Sequence, residues 1–401
     1  MGRWRTGNEI EVEGGEPSIM EGWVNVESGA EETIQRFLQA LLVSNFVDGV
    51  LVPLHPANGR NAVPTLVRDP ALLERAAPLA PVLPVNGGTV LGQVTATGAL
   101  GRVGAVVRNC ELRTAVELSK LNQAALDDVV WVGIDCLGTY RVDDYARLIE
   151  EGLDPVASAL SAGREGRVEP VTGHAFRPGC TMCERPIPGA GERYAPHVTV
   201  GLLGVPNDER LWVSVRDGPL AEELRDLLDL EPAAEPLARA EAVQALIGSR
   251  AAERDRRFGA FHKRVHDPPS LLAEFATCIH CQNCMRVCPI CYCKECIFRT
   301  DVFDHPSARY WDWAERKGGV RLPSDTLLFH VTRMLHMAHA CVGCGLCSDS
   351  CPVGIPVADI FRAVGHAVQD KFGYVPGRDP AEEMVIATFR EDELREMGKP
   401  R

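Results

Sequence analysis

The sequence predicts an α/β domain that carries a loop-rich β insertion, followed by a smaller, mainly helical domain rich in cysteine. Three observations predict it. Between Glu31 and Glu151 apolar runs of strand length alternate with amphipathic runs of helix length. Between Ala162 and Arg216 helical periodicity gives way to Gly, Pro and β-branched residues. Beyond Val265 cysteines recur at short fixed spacings, and the apolar residues of Leu327 to Ala340 return at helical intervals.

Taken in order, Glu32 to Val43 reads as a helix, Gly49 to Pro53 and Arg102 to Arg108 as strands, and Glu111 to Lys120 as a helix with its apolar residues on one face. Asp128 to Asp135 is a β-branched run and Asp143 to Glu151 is helical again, so parallel strands joined by crossover helices are the simplest arrangement. Pro236 to Val265, rich in Ala, Glu and Arg, predicts a solvated helix that His266-Asp267-Pro268-Pro269-Ser270 stops. Tyr374 to Arg401 contains Pro376-Gly377 and the charged run Arg390 to Arg395 and reads as a solvated tail, with partner binding as the alternative. The expected division is 1–30 as an N-terminal extension, 31–265 as the α/β domain, 266–365 as the cysteine-rich helical domain, and 366–401 as the tail.

A chain of 401 residues with 45% hydrophobic content buries ordinary cores and has room for two or three domains of ~150 residues each. Its formal charge of −13 and lack of clustered Lys and Arg point away from nucleic acid, because phosphate contacts need concentrated cations. A protein or small-molecule partner is expected instead. Val129 to Ile134 is short and Leu41 to Val52 is broken by Asn45 and Asp48, well under the ~20 residues of a spanning helix, so no direct membrane insertion is expected. Met1 to Glu16 is mixed in charge without an apolar core, which predicts no secretory signal and a cytoplasmic chain. There the fifteen cysteines are thiols available as metal ligands rather than disulfides.

Cys278, Cys281, Cys284 and Cys288 precede Pro289, and Cys341, Cys344, Cys347 and Cys351 precede Pro352: the bacterial ferredoxin run occurs twice. Thiolates two residues apart wrap three corners of a 4Fe-4S cubane, and in two-cluster ferredoxins the cysteine before proline ligates the other cluster. The assignment is therefore Cys278, Cys281, Cys284 and Cys351 for one cluster and Cys341, Cys344, Cys347 and Cys288 for the second. Zinc sites do not need the third Cys-x-x-Cys step. The long stretch 289–340 between the motifs favours a helical two-cluster ferredoxin domain, with LLFHVTRMLHMAHA delivering Cys341. His330, His336 and His339 on that helix read as packing or hydrogen-bonding groups, since eight cysteines saturate two cubanes. Cys291, Cys293 and Cys296 are left over and have two readings, small buried hydrophobes or three ligands of another metal site. Upstream, Cys110 and Cys136 follow predicted strands, where α/β sheets place ligands. With the Cys180/Cys183 pair they are candidates for a third 4Fe-4S cluster; the alternative is two core cysteines plus a redox or zinc-type pair.

Asn45-Phe46-Val47-Asp48-Gly49, Arg108-Asn109-Cys110-Glu111-Leu112-Arg113, Gly133-Ile134-Asp135-Cys136, Pro178-Gly179-Cys180-Thr181-Met182-Cys183, CIHCQNCMRVCPICYCKEC and CVGCGLCSDSCPVGIP come in one order. In this the chain resembles the beta subunits of deazaflavin (coenzyme F-420) dependent hydrogenases and formate dehydrogenases, most of all the formate dehydrogenase beta subunit, over roughly Glu31 to Phe361. The resemblance implies an FAD-containing module that passes electrons between the deazaflavin and iron–sulfur clusters wired to a catalytic partner. Family members usually open the first helix with paired glycines, where this chain has Gly29-Ala30-Glu31-Glu32-Thr33, and carry a Gly-Asp-x-Gly-like turn, where it has Val200-Gly201-Leu202-Leu203-Gly204. Gly87, Gly88 and Thr89, and the stretch Gly98 to Gly104, are the remaining candidates for a phosphate contact, though neither fits GxGxxG and ordinary turns read as well.

The first reading is thus an electron-transfer subunit that relays between catalytic and electron-accepting subunits rather than a stand-alone enzyme. Alternatives are an FAD-containing subunit that itself oxidises or reduces coenzyme F-420 or NAD(P)H, and a scaffold in which metals only hold the fold. No catalytic acid, base or nucleophile stands out.

Overall fold

In the computed structural model, which describes residues 19–98, 101–190 and 192–388, the chain opens with strand β1 (Ile19–Asn25) and helix α1 (Ala30–Val43). Ile34, Phe37, Leu38, Leu41 and Leu42 recur every three or four residues on α1 and are buried, while Glu31 and Glu32 in the first turn suit the positive end of the helix dipole. β2 (Gly49–Leu54) and the edge strand β3 (Val63–Val67) follow, then α2 (Gly87–Thr95), β4 (Val103–Val107), α3 (Asn109–Lys120), β5 (Val129–Ile134), α4 (Val142–Glu150) and α5 (Pro155–Arg164). The one-turn helix α6 (Pro178–Thr181) precedes β6 (Val198–Gly201), β7 (Arg210–Arg216), α7 (Ala221–Leu228) and the short β8 (Glu231–Pro232).

All eight strands belong to one sheet in the order β3-β2-β4-β5-β6-β7-β1-β8. β2, β4, β5 and β6 are parallel, the first three as expected from their apolar runs. The rest pair antiparallel: β3 on β2, β7 on β6, and β1 and β8 beyond. The Ala162–Arg216 segment is loop-rich up to His197 and then supplies β6 and β7 to this sheet. The expected N-terminal extension 1–30 needs correction, because Ile19 to Asn25 pairs along its whole length with β7. An edge-to-face contact of Trp23 with Trp212, centroids 5.1 Å apart, fastens it there. Residues 1–18, on which the reading of Met1 to Glu16 rests, lie outside the described residues.

α8 (Leu237–Arg264) runs for 28 residues, about 42 Å at 1.5 Å per residue. Its first half buries Ala242 and Leu246 in the sheet's core and its second half buries Phe258 and Phe261 in the core of the cysteine-rich part. The Pro268-Pro269 stop holds, with Asp267 capping α9 (Pro268–Glu274). Then come α10 (Asn283–Arg286), α11 (Ser307–Lys317), α12 (Thr326–Met337), α13 (Leu346–Asp349) and α14 (Val357–Phe372).

A tail beginning at 366 is also corrected. α14 runs through that position, and Tyr374 to Gly377 lies against α3 because Glu117, fully buried there, takes its hydrogen bonds from Tyr374 Oη (2.7 and 2.8 Å) and Gly377 N (2.8 Å). A buried carboxylate needs such donors. Arg113 Nε donates to Pro376 O at 2.7 Å on the same helix. The run Arg390 to Arg395 lies outside the described residues. Among the described residues no helix is long and apolar enough to cross a membrane.

Candidate iron–sulfur centres

Two loops with the same backbone trace hold the C-terminal thiols. Around Cys281, His280 and Gln282 take left-handed φ values of 58° and 60°; around Cys344, Gly343 and Gly345 take 76° and 79°. Such turns aim successive amides at one point, a nest for anionic sulfur. His280 N reaches Cys278 Sγ at 3.3 Å and Ile355 N reaches Cys351 Sγ at 3.3 Å. Glycine makes the second loop at no steric cost, whereas His280 and Gln282 strain the first by about 1–3 kcal/mol each. That strain is held by Gln282 Nε2 on Phe298 O (2.8 Å) and by the His280 ring on Phe329 (4.7 Å). One-turn helices then carry the third thiol of each loop, Cys284 on α10 and Cys347 on α13.

The fold crosses the two motifs. Cys278, Cys281, Cys284 and Cys351 interact with one another, and Cys341, Cys344 and Cys347 gather about Cys288. Burial pushes Cys284 up to about 11, Cys344 up to about 12 and Cys347 well above the usual thiol range. Thiols this desolvated hold their protons unless a cation replaces them, so they fit a group that brings iron's positive charge. Among the described residues no three His, Cys, Asp or Glu side chains are arranged to hold a single metal ion. A tetrahedral zinc would draw its thiolates to roughly 3.8 Å of each other; a cage-shaped cluster spreads them wider. Cys291, Cys293 and Cys296 follow Cys288 half-buried, with burial pushing Cys291 up to about 11.

The upstream thiols converge as well. β4 and β5 are parallel in the register Val107 to Gly133, so Cys110, in the first turn of α3, and Cys136, just past β5, emerge at the same sheet edge. With Cys180 and Cys183 they line one cavity, and Cys344 lines it too, together with Arg108, Arg177 and Arg250. Burial pushes Cys110 well above its ordinary value, Cys136 up to about 11 and Cys183 up. Cys180 alone moves down: burial opposes this, but the Arg177 guanidinium and the Thr139 hydroxyl outweigh it, with Thr139 Oγ1 at 3.1 Å and Arg177 Nη2 at 3.6 Å from Cys180 Sγ. Gly179 packs on Gly345 so closely that a Cβ on Gly179 would lie 2.7 Å from the Gly345 Cα.

Of the histidines, His330 places Nε2 3.3 Å from Cys278 Sγ and stacks on Phe275 with centroids 3.9 Å apart. Burial, then Arg333, lowers it to about 3, so it faces the thiol as a neutral ring. His336 is exposed and His339 is buried. Gly87 and Gly88 open α2, but their amides are taken by Glu111 Oε1 and Asn86 Oδ1, both at 2.9 Å, and the Thr89 amide by Asn86 O at 3.0 Å. Their lack of side chains lets α2 cross α3 at close range: a Cβ on Gly88 would meet Glu111 O at 2.3 Å. The stretch 98–104 lies partly outside the described residues, at 99–100.

Sequence reasoning missed the cations. Arg333, Arg177 and Arg250 are all buried, and the available signal was a lone Arg in the apolar run LLFHVTRMLHMAHA.

Residues 274–355, which contain both cysteine loops, match the family described as the 4Fe-4S dicluster domain, and this makes the chain an iron–sulfur protein of the ferredoxin type. Over most of its length the chain is similar to beta subunits of formate dehydrogenase. It is 27% identical over 366 residues to the F420-dependent formate dehydrogenase subunit beta of Methanocaldococcus jannaschii, covering 84% of this chain and 89% of that protein. It is 27% identical over 394 residues to the F420-dependent formate dehydrogenase 1 subunit beta of Methanococcus maripaludis, covering 92% and 95%. A chain of the F420-reducing [NiFe] hydrogenase complex from Methanosarcina barkeri superposes with a TM-score of 0.44 at 14% identity, covering 61% of this chain and 92% of that one.

Proposed function

We propose that the chain is an iron–sulfur electron-transfer subunit of a cytoplasmic oxidoreductase complex of the formate dehydrogenase or hydrogenase type, relaying electrons between a catalytic and an accepting partner. Three 4Fe-4S clusters would be held by Cys278, Cys281, Cys284 and Cys351, by Cys341, Cys344, Cys347 and Cys288, and by Cys110, Cys136, Cys180 and Cys183. The observation that carries this reading is Cys344, whose side chain lines both the second nest and the upstream cavity. Three adjoining thiol sets are what a relay needs and more than a structural metal requires. When bound, such clusters take up and release single electrons. The chain's cysteines would hold them as thiolates and its loop amides would face their sulfurs, with Phe275, Phe329 and Phe361, all buried, keeping water away.

A second reading, in which the chain binds FAD and itself exchanges electrons with F-420 or NAD(P)H, draws on the relatives' F420-dependent names. The candidate places fit a dinucleotide poorly. The Gly87-Gly88 amides are already bonded. The cleft of about 820 Å³ at the start of α1 presents Glu31, Glu32 and Asp154 to a pyrophosphate, and the arginine-lined cavity beside Cys341 holds about 240 Å³, below the ~300–1,000 Å³ of typical ligand pockets.

Anaerobic purification with iron, acid-labile sulfide, extractable flavin and EPR measured per chain tests both readings. About twelve irons, from three four-iron clusters, are expected, and Cys281→Ser and Cys344→Ser should each remove or convert one cluster signal. Spectra unchanged in both variants would sink the ligand assignment, and about one FAD per chain would favour the second reading.

A further inference from the structure

The least expected charge in the cysteine-rich core is Arg333. It lies on α12, 3% exposed, where its helix brings it between the two C-terminal thiol nests. Nη1 donates to Cys284 Sγ at 3.1 Å and Nη2 to the Cys284 carbonyl at 3.0 Å, while Nε has no hydrogen-bond partner. The Phe329 and Phe361 rings flank the guanidinium at 5.3 and 5.0 Å. Among the described residues no carboxylate pairs with it. On its other side Arg333 lines one cavity with the second thiol set, Cys288, Cys341, Cys344 and Cys347. A buried guanidinium is costly unless negative charge faces it, and among the described residues it faces the two thiol sets, which would carry that charge once they bind iron.

We propose that Arg333 is a fixed cation shared by the two C-terminal clusters, a positioning residue that raises the midpoint potential of both. The inference rests on the ligand assignment proposed above, since Cys284 then belongs to the first cluster and Cys288 and Cys347 to the second. Reduction adds one electron, and so one negative charge, to a cluster. A positive charge at hydrogen-bond range of one ligand and facing two ligands of the other favours the reduced form of each. Because an arginine stays protonated at any working pH, the effect does not depend on pH.

The test is an EPR-monitored redox titration of the full chain as wild type, as Arg333→Gln, and as Arg333→citrulline installed by nonsense suppression, which removes the charge and keeps the shape and most donors. Iron content is measured on each. In both variants the reduced-to-oxidised ratio of each C-terminal cluster at a fixed potential should fall about tenfold, a downward shift of ~59 mV for one electron, with iron retained. A loaded variant in which both potentials stay put overturns the proposal, and so does a fall in only one of them, since the charge is then not shared. Loss of iron from both variants assigns the guanidinium to cluster retention and likewise overturns the tuning role. Failure of the underlying ligand assignment is distinguishable, because Cys281→Ser and Cys344→Ser would then leave the cluster signals of the wild type unchanged.

Discussion

Arg177 shows how one side chain joins two sites: Nε donates to Thr139 Oγ1 at 2.8 Å, Nη1 to Asp349 Oδ2 at 2.6 Å, and Nη2 approaches Cys180 Sγ at 3.6 Å. Asp349 ends α13, the helix that carries Cys347, so this cation ties the upstream thiols to the second nest. A second residue makes a separate prediction. His197 accepts the Trp131 amide at Nδ1, 3.0 Å away, and burial, then Arg216 and Arg102, lowers its pKa from 6.5 to about 4. With the folded value below the unfolded one, the unfolded chain binds the extra proton between them. Stability is therefore full above about pH 6.5 and is lost as pH falls toward 4, by roughly 2–3 kcal/mol after allowing for partial exposure. His197→Gln keeps an acceptor for the amide without titrating. Thermal unfolding measured from pH 7 to 4 should show the wild type losing more than the variant, and parallel curves would remove His197 as the source.

At the scale of elements, α8 is the strut between the sheet and the cysteine-rich core, and Arg239 anchors its start. Arg239 grips Asp135, the residue before Cys136, with Nη1 to Oδ2 at 2.5 Å and Nη2 to Oδ1 at 3.2 Å, while Leu202 N donates to Oδ2 at 2.9 Å. The turn Val200-Gly201-Leu202-Leu203-Gly204 has a packing reason for its first glycine: a Cβ on Gly201 would lie 2.5 Å from Arg239 Cζ. Asp135→Asn leaves the buried arginine with the half-exposed Glu235, at 3.3 Å, as its remaining ion pair among the described residues. It should cost about 3–5 kcal/mol, read as a lower unfolding temperature; a loss under 1 kcal/mol would show the pair to be dispensable. Periodicity made α1, β2, β4, α3, β5, α4 and α8 legible to within a residue or two, because each has one consistent pattern of apolar spacing. The antiparallel half of the sheet was not legible, since the partnership of β1 with β7 is a contact across nearly 200 residues and leaves no local signal. The thiol nests were legible because ligand spacing is local chemistry; the cations between them were not, because a buried arginine reads like any surface one until packing surrounds it.

For the whole molecule the deciding feature is where the sheet meets the cysteine-rich core, and the meeting is backbone on backbone. Gly179 precedes Cys180 and Gly345 follows Cys344; a Cβ on Gly179 would stand 2.7 Å from the Gly345 Cα and 3.2 Å from its N. Neither wall yields easily, because Gly345 sits at φ 79° inside the second nest and Arg177 ties the two walls together through Asp349. Gly179→Ala must therefore push the upstream thiol set away from the second one, as an overpacked contact costing about 1–3 kcal/mol, while leaving every cysteine in place. Iron content should be unchanged in this variant. If the three sets form one relay, the magnetic interaction between the reduced upstream and second clusters should weaken, and electron passage between them should slow. EPR of the fully reduced protein, wild type against variant, reads the first effect, and stopped-flow reduction under anaerobic conditions reads the second. Full iron with unaltered spin coupling and rate would mean that the upstream set does not exchange electrons across this contact, leaving the two C-terminal nests as the whole path.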